Sequence, residues 1–77
     1  MPLPLRSLVE RYSYNVVWEE YDKEFVARAI EWPSLAAHGE TMEIALTEIR
    51  NVIGSCISDM VVNCESIPEP ITERKYN

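Results

Sequence analysis

Apolar and polar residues alternate from Tyr12 to Glu20: Tyr14, Val16 and Trp18 share one face of an extended chain, and Ser13, Asn15, Val17 and Glu19 the other. The aromatic and β-branched content suits a pleated strand. Tyr21-Asp22-Lys23 supplies a polar turn. Glu24 to Ile30 resumes the alternation, with Phe25, Ala27 and Ala29 on one face and Val26, Arg28 and Ile30 on the other. Together these segments predict a hairpin. Ser34 to His38 predicts a short third strand. Gly39 follows, and its tolerance of positive φ suits a sharp reversal there.

From Thr41 the period lengthens. Ala45, Leu46, Ile49, Val52, Ile53, Cys56, Ile57 and Met60 recur at spacings of three and four, one apolar stripe of a helix running from Thr41 to about Asn63. Thr41 is a suitable N-cap. Ile44 three residues later rules out a capping box, but Glu40 and Glu43 complement the positive helix end. Gly54 weakens the helix interior by about 1 kcal/mol relative to Ala; close approach of a neighbouring backbone is one reason to keep it. Ser66 to Ile71 contains Pro68 and Pro70. Proline has no ladder donor, so this segment is expected as an edge strand. Residues 1–11 are expected as an arm or short helical turn. The expected fold is α+β in the order β-β-β-α-β, a small antiparallel sheet with one long helix on one face. It forms a single domain over residues 1–77, with an arm (1–11), a core (12–71) and a tail (72–77).

One helix covers only one sheet face, yet both faces of the predicted hairpin carry apolar residues. A half-apolar second face points to association with another subunit. Size points the same way. A chain of 77 residues buries only about 60% of its unfolded surface, so its stability is marginal. Cys56 and Cys64 do not supply a staple: eight helical residues separate them by about 12 Å, beyond the roughly 7 Å a disulfide allows. Neither belongs to a Cys-x-x-Cys pair, so a zinc site is not expected. A homodimer or higher even oligomer is therefore expected. With no signal peptide and no apolar run near membrane-spanning length, the expected location is cytoplasmic, without membrane partners.

The formal net charge is −6, and its distribution sharpens the picture. Arg6, Arg11, Arg74 and Lys75 lie at the two ends. Between Tyr12 and Glu73, twelve acids stand against Lys23, Arg28 and Arg50, a net of −9. Such a body repels phosphate backbones and attracts cationic surfaces. Direct nucleic-acid binding is disfavoured and a basic protein partner favoured, set against the plain alternative of a solvated acidic surface.

Catalytic chemistry finds little support. His38 is the lone histidine, and no nucleophile and orienting partner accompany it in a recognisable pattern. Glu19, Glu20, Asp22 and Glu24 cluster at the hairpin turn but lack the glycine and spacing of a calcium loop. Two glycines are too few for a phosphate-cradling loop. No enzyme activity, metal or cofactor is expected. Trp18 alternates with strand residues and is expected in the core. Trp32, before Pro33, is either a contact anchor or a residue packed over the sheet edge. The candidate partner-binding residues are Glu19, Glu20, Glu24, Trp32 and Ser34.

An ordered set of features resembles the HicB antitoxins. It comprises Tyr14 to Trp18, the hairpin, Glu31-Trp32-Pro33-Ser34-Leu35-Ala36-Ala37-His38-Gly39-Glu40-Thr41, Glu43, Ala45-Leu46, Glu48-Ile49 and Ile67-Pro68-Glu69-Pro70. The resemblance covers roughly residues 12 to 71. Departures are Ser34 where many members have glycine, Trp32 where a smaller apolar residue is common, and Ile44 where glutamate is common. Many members also carry a C-terminal DNA-binding domain, whereas Thr72 to Asn77 are too few for one. The resemblance implies a partial ribonuclease-H-like fold without that enzyme's acidic catalytic set. It also implies neutralisation of HicA, a small basic messenger-RNA-cleaving toxin, by occlusion of its RNA-binding face. The alternative is an oligomeric module of the same fold with no toxin.

Overall fold

A computed structural model describes residues 5–71, with side chains from Leu8 onward. The elements are α1 (Leu5–Glu10), β1 (Tyr14–Glu19), β2 (Glu24–Ala29), β3 (Trp32–Gly39) and α2 (Met42–Val62). The strands form one antiparallel sheet in the order β1-β2-β3, and α2 crosses one face of it. This is the expected α+β arrangement with β-β-β-α order. The arm resolves in part into the short α1, which packs on α2. The rest of the arm (1–4) and the tail (72–77), with Arg74 and Lys75, lie outside the described residues.

β1 and β2 pair without interruption from Tyr14↔Ala29 to Glu19↔Glu24. Lys23, at φ 56°, closes the turn between them. β2 and β3 pair at Val26↔His38 and Ala27↔Ala37, then again at Ala29↔Trp32, with a bulge between. Two steps along β2 thus oppose five along β3. The three extra residues are an odd number, so Trp32 and Ala37 both reach the helix side of the sheet. β3 is longer than expected because Trp32 and Pro33 join it at one end and Gly39 at the other. Pro33 is tolerated because β3 is an edge strand.

α2 follows the apolar stripe. Ala45, Ile49, Ile53 and Ile57 are its buried residues, and Leu46, Cys56 and Met60 pack beside them. Thr41 caps the helix, its Oγ1 accepting from the Ile44 N–H at 3.1 Å. The C-terminus closes in a Schellman arrangement: the Cys64 N–H donates to the Val61 carbonyl at 3.2 Å and the Glu65 N–H to that of Met60 at 2.8 Å. Cys64 holds the left-handed position, φ 57°. Both cysteines are free thiols, as spacing required.

The glycine expectations need correction. Gly39 has no positive φ. A Cβ there would lie 2.5 Å from the Ala45 nitrogen and 2.7 Å from Ile44 Cγ2, so glycine lets the end of β3 approach the first turn of α2. At Gly54 a Cβ would meet nothing within 4 Å; close approach is not its reason, and nothing in the structure explains it.

The expected fourth strand is also corrected. Residues 65–70 form no strand, and the described sheet has three. Pro68 and Pro70 remove two of the donors a ladder would need. Point contacts hold the segment instead. The Tyr12 hydroxyl donates to the Pro68 carbonyl at 2.8 Å, and the Ile71 N–H donates to Glu31 Oε2 at 3.0 Å.

Candidate partner-binding surface

The five candidate residues do not form one site. Glu19 and Glu24 are cross-strand neighbours at the hairpin end of the sheet. Trp32 pairs with Ala29 at the opposite end, five residues of strand from Glu24, or about 17 Å at about 3.4 Å per residue. Glu20 separates from the other two acids: it accepts from Trp18 Nε1 at 2.7 Å and is ion-paired with Lys23. Those two partners lower its pKa, Lys23 first. Trp32 and Ser34 do come together, on β3, along an open groove of about 320 Å³ whose other side is Cys56, Asp59 and Met60 of α2.

Of the two readings of Trp32 the packed one holds, and Trp18, expected in the core, is half exposed. Trp32 is 8% exposed, inside the core cluster, with its ring edge-on to Tyr12 at 5.7 Å. Trp18 is 48% exposed. It is on the helix side of the sheet, but α2 lies chiefly over β3 and β2, leaving the hairpin end of β1 uncovered. Trp18 packs edge-on against Phe25, 5.1 Å between centroids. Tyr21, 91% exposed, stands at the turn beside it. The hairpin tip is thus aromatic as well as acidic. The alternation rule placed Trp18 on the correct face, and its distance from the centre of α2 was the missing information.

Glu31 is the functional-looking residue with a structural task. It is the buried charged side chain of the described residues. Its carboxylate accepts from the Ser13 N–H at 2.9 and 3.2 Å and from the Ile71 N–H at 3.0 Å. It thereby ties the start of β1, the β2–β3 turn and the C-terminal segment together. Burial by itself raises its pKa, but the bonds from Ile71 and Ser13 outweigh this and leave it below the ordinary 4.5. A depressed carboxylate pKa contributes stability that is complete above the ordinary value and fades as pH falls through the lowered one. Glu31→Gln is therefore expected to cost about 1–3 kcal/mol at neutral pH. The gap from the wild type should narrow below about pH 4, as the wild-type carboxylate protonates too. Urea midpoints of both proteins at neutral and acid pH check this; an equal gap at both would show that the charge is irrelevant.

Elsewhere the chemistry is sparse. His38 Nδ1 lies 3.6 Å from Glu24 Oε2, and both are on the sheet face away from α2. Tyr14 donates to the Val9 carbonyl at 2.6 Å, and burial pushes its phenol up to about 12. Among the described residues no three His, Cys, Asp or Glu side chains gather into a metal-binding group, and no helix is long and apolar enough to cross a membrane. Comparison of the chain with protein-family models, with curated proteins and with solved structures finds no match.

Proposed function

We propose that this chain is an antitoxin-like binding module, acting without catalysis in the cytoplasm, that neutralises a small basic RNA-cleaving toxin of the HicA type by covering it. The observation that carries the reading is the hairpin tip. Exposed Trp18 and Tyr21 sit there among Glu19, Glu20, Asp22 and Glu24, in a body of net −9 between Tyr12 and Glu73. Acidic charge attracts a cationic partner over long range, and an exposed tryptophan is a suitable contact anchor. The resemblance of residues 12–71 to HicB antitoxins supplies the partner class.

The two kinds of group should act on different rates. Neutralising Glu19, Glu20 and Glu24 together is expected to slow association and flatten its salt dependence. Trp18→Ala is expected to raise the off-rate by an amount worth about 2 kcal/mol, with little change in thermal midpoint because the side chain is half exposed. Surface kinetics against a HicA-type toxin over a salt series, with rescue of growth on co-expression, is the test. Absence of binding and of rescue would reject the antitoxin reading. A second reading, a self-associating module with no toxin, is favoured by the sheet face that α2 leaves bare.

A further inference from the structure

The strand register sets three rows of side chains on the face away from α2. Val17, Val26 and His38 stand side by side in the middle row. Glu19 and Glu24 face each other in the row toward the hairpin turn, and Asn15 and Arg28 form the row on the far side. Val17 is 50% exposed, and Ile30, just past Arg28, is 62% exposed.

The charges on this face are unbalanced at both ends. Like charges directly opposite in a sheet are destabilising, and Glu19 and Glu24 are such a pair. Lys23, the nearest cation in sequence, is taken by Glu20, which leaves His38 beside Glu24. At the other end Arg28 is exposed and has no ion-pair partner among the described residues. Each end therefore lacks what the other displays, and the row between them presents exposed Val17 and His38 on either side of Val26, which is only 5% exposed.

We propose that this face binds a second copy of the chain about a two-fold axis that lies in the interface, perpendicular to the strands, and passes over Val26. The axis reverses strand direction. It sets Val17 on Val17 and His38 on His38 of the other copy, on either side of Val26, which its neighbours already largely cover, and brings each Arg28 over the other copy's Glu24, beside its Glu19. The pairing is isologous, so both ends are neutralised at once. Stacked sheets lie about 10 Å apart, a gap that long Arg and Glu side chains bridge from opposite sides. The surface is small. Strands of about 20 Å and three strands at about 4.8 Å spacing give a footprint near 300 Å², against about 800 Å² per partner in a standard interface. The dimer is therefore weak, salt-sensitive and dependent on charge register. This inference deepens the self-association reading and needs no toxin. Pairing would engage Glu19 and Glu24 and leave Glu20 and Asp22 at the tip for another partner.

Charge exchange tests it. Sedimentation equilibrium of the full chain over about 10 µM to 1 mM, the range so small an interface demands, should show mass rising from 8.9 kDa toward twice that value, and less so at high salt. Arg28→Glu sets acid against acid, and Glu19→Lys with Glu24→Lys sets cation against cation. Each variant alone should associate at least about tenfold more weakly. An equimolar mixture should restore the dimer as a heterodimer, because each copy then offers what the other lacks. Matching circular dichroism and thermal midpoints would establish that the variants fold, and Arg28→Gln should be intermediate. A wild type that remains 8.9 kDa throughout, variants that associate as the wild type does, or a mixture that stays monomeric would each overturn the proposal. Toxin binding by the monomeric Arg28→Glu variant would uphold the antitoxin reading separately.

Discussion

Trp32→Ala is expected to destabilise the protein by about 3–5 kcal/mol. The indole is packed among the buried residues with Tyr12 edge-on to it, and truncation leaves a cavity where β3 meets the C-terminal half of α2. Total stability at about 0.05–0.15 kcal/mol per residue is about 4–12 kcal/mol for a chain of this size. The substitution thus removes a large share of it. Trp32→Phe should cost much less. It keeps a ring against Tyr12, and the Nε1 it deletes has no acceptor in hydrogen-bonding geometry among the described residues, so little hydrogen bonding is lost. Urea unfolding followed by far-ultraviolet circular dichroism reads both. A Trp32→Ala midpoint equal to that of the wild type would mean that the indole is displayed to solvent, as a contact anchor would be.

Ile53→Ala is expected to cost about 2–5 kcal/mol. Ile53 is fully buried at the middle of the stripe, with Ile49 and Ile57 one turn away on either side. Buried neighbours on both sides leave little freedom to collapse around a void. Ile53→Val should cost only about 0.5–1.5 kcal/mol, and Val52→Ala, at a half-buried position beside the stripe, less than Ile53→Ala. In a domain of this size each 1 kcal/mol moves the thermal midpoint by about 4–8 °C, so the three variants separate in one melting series. If Val52→Ala proved the costlier, α2 would be rotated on its axis relative to the sheet.

Most of the architecture was legible because it rests on local periodicity. Alternation from Tyr12 to Glu20 and from Glu24 to Ile30 marked two strands, observed slightly shorter as Tyr14–Glu19 and Glu24–Ala29, and the polar turn between them gave their pairing. The change of period at Thr41 gave α2, and its hydroxyl caps the helix as expected. The candidate surface was less legible. Glu19, Glu20 and Glu24 are close in sequence, yet the turn sends Glu20 to Lys23 and Trp18 while the other two stay on the outer face. The groove joining Ser34 to Cys56 and Met60 spans two elements, so no local pattern announces it.

What the sequence determined by itself was therefore the type and order of β1, β2, β3 and α2, the buried stripe of α2 and the acidic character of the body. These follow from side-chain period, capping chemistry and charge, which act over a few residues or depend only on composition. The tertiary structure alone decided how far α2 reaches across the sheet. That reach buries Trp32 and leaves Trp18 half open, although both point to the same side. It also decided that the segment after α2 is held by Tyr12 and Glu31 instead of by a ladder, that Gly39 serves close approach instead of positive φ, and that Arg28, without an ion-pair partner among the described residues, stands at the end of one face opposite Glu19 and Glu24. Each of these depends on distances between residues far apart in the chain, set by packing and register, which one-dimensional pattern does not contain.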